Sequence, residues 1–127
     1  MIEFHRDHTR PSKGQVFVFG SNEAGIHGAG AAALALEYGA EWGKGVGHYG
    51  ETYAIPTKDR EVKTLVLSKI RPYIADFVAY TKAHPELQFF VTRVGCGLAG
   101  YEDRQIAPLF KGVVNCDFPE SWEPYVK

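Results

Sequence analysis

The chain has 127 residues, which suits one domain with one core and leaves little room for two. A hydrophobic share of 45%, a charged share of 23% and a formal net charge of -1 belong to a globular protein, and exclude bulk electrostatic capture of nucleic acid or an anionic membrane. Two cysteines, Cys96 and Cys116, are too few for a disulfide framework, and no stretch is long and apolar enough to span a bilayer, so reduced thiols in a cytoplasmic setting are expected.

At the N-terminus, Ile2 and Phe4 alternate with polar neighbours, which predicts a short edge strand. Residues 7–14 read as a polar connection, in which Asp7 is either a ligand contact or a solvated charge. His5 and His8 lie three apart without further ligands, so no metal site is expected. Residues 15–19 carry the apolar run VFVF and predict a buried central strand. A glycine-punctuated turn follows, GSNEAGIHG, and then small helix-forming residues. The helix is expected over residues 29–38, with Gly39 as its C-cap. Residues 40–50, AEWGKGVGHYG, read as an irregular loop, either a lid over a ligand or a segment folded back on the sheet.

Residues 52–55 predict a further strand, ended by Pro56. Lys58, just beyond, is either a phosphate contact or a solvated turn residue. Ser68 is the expected N-cap of a helix in which Ile70, Ile74, Phe77, Val78 and Thr81 recur at helical spacing, with Pro72 near its first turn. This helix should end at residue 83 or 84, before Pro85. Residues 87–94 form the second strong strand, and GCGLAGY over residues 95–101 is the second glycine loop. A helix is expected from Asp103 to residue 110 or 111, a last strand over residues 113–116, and a docked tail thereafter.

Both glycine loops follow strong strands and precede helices. In a mainly parallel sheet such loops share one edge and wall one cleft. Backbone N–H groups in loops of this kind cradle phosphates without many cationic side chains. Gly28 and Gly30 lack Cβ atoms, so a pyrophosphate or ribose can approach the backbone. Neither a G-x-G-x-x-G fingerprint nor a P-loop is present. Asn22 donates and accepts at once, which suits a ribose diol; an Asx-turn is its other role. His27 lies among glycines, where a core histidine is not expected, and reads as acid–base catalyst, ligand contact or loop support. Cys96 is a nucleophile only with a basic partner, and otherwise a small buried residue.

The stretch FGSNEAGIHGAGAA resembles the asparagine- and glycine-rich loop of macrodomains, which bind ADP-ribose, and VTRVGCGLAGY resembles their second phosphate-cradling loop. The motif order GSN, GIHGAGAA, YAIPTK, HPE and GCGLAGY is similar to that of a phage- and bacteria-associated macro-like group, over most of the chain. The resemblance implies a three-layer α/β fold, with a mixed, mostly parallel sheet between helices. It places Ser21, Asn22, Gly28, Ala29 and Gly30 in the first ligand loop. Gly95, Cys96, Gly97, Leu98, Ala99 and Gly100 fall in the second, and Tyr101 near the distal ribose. Asn22 and His27 are the expected catalytic pair if the protein cleaves an ADP-ribosyl linkage. The acid that hydrolytic members carry after the glycine run is replaced by Ala31 and Ala32, and the paired glutamates of the glycohydrolase branch are absent. The implied partner is ADP-ribose or an ADP-ribosylated small molecule or protein, with no cofactor and with self-association left open. The rival expectation is a phage structural or protein-interaction module that keeps the fold without the ligand; a cleft filled by Trp42, His48 or Tyr49 would favour it.

Overall fold

In the computed structural model, which describes residues 2–127, six strands build one sheet: β1 (Glu3–His5), β2 (Gln15–Asn22), β3 (Gly47–Tyr49), β4 (Thr52–Lys58), β5 (Gln88–Val91) and β6 (Cys116–Pro119). Their spatial order is β1-β6-β5-β2-β4-β3, and every pairing is parallel except that of β3 with β4. The helices are α1 (Gly30–Ala35), α2 (Leu67–Ala83), α3 (Asp103–Ile106) and α4 (Glu123–Val126). No helix among the described residues is long and apolar enough to cross a membrane.

The apolar run of β2 serves two cores at once, because successive side chains of a strand point to opposite faces. Val16 and Val18 join Ile55, Phe89 and the α2 residues Ile70, Ile74 and Phe77 in the larger core. Phe17 and Phe19 join Ala54, Phe90 and the α1 residues Ala32 and Ala35 in the smaller one. Alanines on α1 let its backbone settle against bulky phenylalanines, so volume is conserved across the contact. Each fully buried phenylalanine contributes roughly 2 kcal/mol by leaving water.

Helices therefore cover both faces of the sheet. The chain leaving β2 enters α1 on one face, whereas α2, reached from β4, packs in the core on the other. Ile106 of α3, reached from β5, joins that second face too. Neighbouring parallel strands whose connections part to opposite faces leave a crevice at their C-terminal ends.

Several boundaries differ from expectation for identifiable reasons. The stretch over residues 40–50 contains strand β3, which a sequence rich in glycine conceals. Pro56 lies inside β4 rather than after it. β3 pairs with β4 only as far as Ala54, so beyond that point one side of β4 has no ladder to donate to, and proline is tolerated there. The N-cap of α2 is Val66, not Ser68, and no side chain caps it. Pro72 consequently falls in the second turn, where the Ser68 carbonyl lacks its helical donor. The last strand is displaced to Cys116–Pro119, and the tail beyond it buries Trp122 completely. The expected helix from Asp103 is a short α3 continued by a 3-10 segment, Ala107–Phe110, because Pro108 cannot supply a helical N–H.

A candidate ligand cleft at the strand ends

The C-terminal ends of β1, β6, β5, β2 and β4 open into one cavity of about 740 Å³, a size typical of small-molecule sites. Five strand ends spaced at about 4.8 Å give the opening a length of roughly 19 Å, enough for an extended dinucleotide-sized ligand. Its β1 side is formed by His5, Asp7, His8, Thr9 and Pro119. Its β4 side is formed by Asn22, Ile26, Lys58 and Val62.

Both glycine loops line this cavity. Gly28, Ala29 and Gly30 contribute from the first, and Gly95, Cys96, Gly97, Leu98 and Ala99 from the second. The backbone N–H groups of Gly28, Ala29, Gly30, Gly97, Leu98 and Ala99 donate to no backbone carbonyl among the described residues. These amides are therefore available to an acceptor in the cleft.

Ser21 and Asn22 also line the cavity, but their side chains are already engaged. Ser21 Oγ donates to the Gly45 carbonyl at 2.5 Å. Asn22 Nδ2 donates to the Ile26 carbonyl at 2.7 Å, and Asn22 Oδ1 accepts from the Ile26 N–H at 2.9 Å. Asn22 thus shapes the loop that follows it, using one of its two Nδ2 hydrogens.

His27 is corrected outright. It is 1% exposed and does not line the cavity. Its Nε2 lies 2.9 Å from the Glu41 carbonyl and 3.0 Å from the Lys44 carbonyl, so it carries the hydrogen and donates to both. The ring packs edge-on against Phe19 and Trp42. It staples the first loop to the segment behind it. The same segment returns a backbone bond, Gly43 N–H to the Gly25 carbonyl at 2.9 Å. Residues 40–46 therefore back the first loop instead of closing over a ligand. Trp42, His48 and Tyr49 all lie outside the cavity lining. A further brace comes from α2, where the Tyr73 hydroxyl donates to Glu23.

Tyr101 and Gly100 also lie outside the lining. The Tyr101 hydroxyl donates to the Leu65 carbonyl at 2.5 Å, and its ring packs on the larger core. Its position beside a glycine loop in the sequence does not reveal this tether, which spans 36 residues.

The charges of the cleft are unequal in freedom. Arg93 makes a two-point ion pair with Asp103, at 2.9 and 3.1 Å. Asp103 also accepts from Trp122 Nε1 at 2.8 Å. Burial opposes ionisation of Asp103, yet these hydrogen bonds outweigh it and hold the carboxyl below its ordinary value. Lys58 makes no ion pair among the described residues and is the cation left to an anionic ligand.

Cys96 lines the cavity without the attributes of a nucleophile. Burial first, and Asp103 second, push its thiol up to about 12. In the folded protein at pH 8, alkylation of Cys96 by iodoacetamide is expected at roughly a hundredth of the unfolded rate or less. Rapid labelling of the native protein under these conditions would contradict the protonated thiol.

Thr57, which the sequence places at a strand end facing a crevice, lines the cleft, and residues not assigned to a ligand from the sequence complete it: Phe90 and His5, whose rings stack with centroids 3.9 Å apart, Thr92, Ile26 and Val62. His5 Nδ1 is held by Asp117 at 2.8 Å, which Gln15 also approaches at 3.3 Å. These partners lie more than 100 residues apart, so only the pairing of β1 with β6, and of β6 with β2 through β5, assembles them.

The chain matches no protein-family model, and it matches no curated protein. It is similar to the solved structure of a protein of unknown function from Bacteroides thetaiotaomicron, at 18% sequence identity and a TM-score of 0.62, over 94% of this chain and 97% of that one. At that identity the likeness concerns the fold alone: a mixed α/β protein with a six-stranded, mostly parallel sheet and helices.

Proposed function

We propose that the cleft binds ADP-ribose or a related diphosphate nucleotide. The observation that carries this reading is the convergence of both glycine loops, with unpaired backbone N–H groups, on one elongated cavity at the ends of parallel strands. Amides of the two loops would hold the diphosphate, and Lys58 would supply the compensating charge. Asp7, His8 and the stacked Phe90 would receive the base end. The spare Asn22 hydrogen would reach the distal sugar.

The reading is of a binder. What supports a binder over a catalyst is that Asn22 is bound to Ile26 and His27 is buried outside the cavity lining. The rival module without a ligand is disfavoured because the cleft is open and none of Trp42, His48 or Tyr49 fills it.

Calorimetric titration with ADP-ribose, ADP, NAD and AMP tests the reading. ADP-ribose should bind, AMP should bind more weakly, and Lys58→Ala should weaken ADP-ribose about tenfold through loss of a charge-assisted contact. No heat and no thermal shift with any of the four ligands would sink it. Release of ADP-ribose from a mono-ADP-ribosylated protein would overturn the restriction to binding.

A further inference from the structure

Three large apolar side chains that remain exposed line the same cleft: Ile26 at 43%, Val62 at 42% and Leu98 at 73%. Single exposed apolar residues are ordinary, but three gathered at one cavity mark a contact surface. Each is held in place by polar groups.

The Asn22 amide grips both backbone groups of Ile26. Val62 sits in a turn closed by Asp59. The Asp59 carboxylate accepts from the Glu61 and Lys63 N–H groups at 2.9 and 3.0 Å, and the Asp59 N–H donates to the Lys63 carbonyl at 2.8 Å. Thr64, leaving that turn, donates from Oγ1 to the Ala99 carbonyl at 3.0 Å, which ties the turn to the loop bearing Leu98.

Val62 itself has a φ of 64°, a left-handed conformation that a β-branched residue adopts only under strain. A turn with no other duty would place glycine or asparagine there. A valine held in that conformation at a cavity points to a contact for its side chain.

Charge narrows the chemistry of the occupant. Lys58 pairs in register with Asn22 and directly precedes the turn, so an anion is accommodated beside the rim. The nearby carboxylates of Glu23, Asp59 and Glu61 stand outside the cavity lining. A guanidinium or ammonium group at the rim would face Lys58 and meet no carboxylate in the lining at this end.

We infer that Ile26, Val62 and Leu98 form the subsite for an uncharged, flat heterocyclic ring carried on the sugar end of the ligand, an inference that rests on the binding reading above. Such a ring offers apolar faces to three aliphatic side chains, while the diphosphate to which it is joined meets Lys58 and the loop amides. The ring is either a second nucleobase or a reduced pyridine carboxamide.

Titration with ADP-ribose, diadenosine diphosphate and NADH separates these sources. All three ligands share an ADP unit and a second ribose; the latter two add a ring to that ribose. At least one of them should bind about tenfold more tightly than ADP-ribose, and the one that does identifies the ring. In Val62→Ser and Val62→Gly the ratio of ring-bearing to ring-free affinity should fall towards one. The glycine variant relieves the backbone strain, so the comparison survives if the serine variant folds poorly. Ring ligands no tighter than ADP-ribose would overturn the rim and leave the diphosphate reading standing. A ratio unchanged in both variants would also overturn it. Absence of binding by all three ligands would remove the binding reading itself.

Discussion

His27→Ala should cost about 3 kcal/mol of stability, a drop in melting temperature of roughly 10 °C for a domain of this size. The variant loses the aromatic packing on Phe19 and Trp42 and leaves the Glu41 and Lys44 carbonyls without their donor. His27→Gln restores an N–H donor and should recover part of the loss. Thermal unfolding of the two variants beside the wild type checks this. A histidine working in the cleft would behave differently, because its removal would spare the melting temperature while changing ligand handling. An unchanged midpoint in His27→Ala would therefore refute the stapling role and return His27 to the list of ligand-facing groups.

Gly45→Ala should be comparably damaging through the opposite fault, too much volume in place of too little. A Cβ at Gly45 would lie 2.0 Å from the Asn22 carbonyl oxygen and 3.1 Å from the backbone carbons of Asn22 and Glu23. Backbone atoms cannot swing aside as a flexible side chain would, so the first loop must move as a body. The cost is expected at about 3 kcal/mol. Affinity for ADP-ribose should fall by about tenfold or more, since Asn22 and the amides beyond it shift with the loop. The contrasting variant is Gly28→Ala. A Cβ there meets nothing within 4 Å, and Gly28 lines the cavity. Its stability should stay within about 0.5 kcal/mol of the wild type, with the change confined to ligand affinity. Chemical denaturation combined with calorimetry separates the two glycines; equal stability losses in both would contradict the distinction.

Local chemistry made much of this protein legible before its structure. The VFVF and QFFV runs predict strands buried on two faces, because alternating faces of such a strand have nowhere polar to point. The apolar spacing through Ile70, Ile74 and Phe77 predicts α2 and its buried face, since a helix brings residues three and four apart onto one side. Gly39 stops the first helical segment at a φ of 107°, as its lack of a Cβ permits. The two glycine loops are visible for the same reason: close approach and positive φ leave a compositional mark.

What the sequence could not carry is the identity of each polar side chain's partner. His27 is flanked by an isoleucine and a glycine and reads as exposed; the carbonyls that bury it come from residues 14 and 17 positions later. Tyr101 faces away from the cleft because its hydroxyl meets Leu65, and His5 enters the cleft because β6 brings Asp117 beneath it. Val62 carries no signal at all, since its left-handed backbone is imposed by the Asp59 turn and not by its own side chain. Periodicity and glycine content act within a few residues of the chain and so determine elements and loops. A hydrogen-bond partner or a cavity wall depends on which strands become neighbours, and that is settled only when the sheet assembles in the order β1-β6-β5-β2-β4-β3.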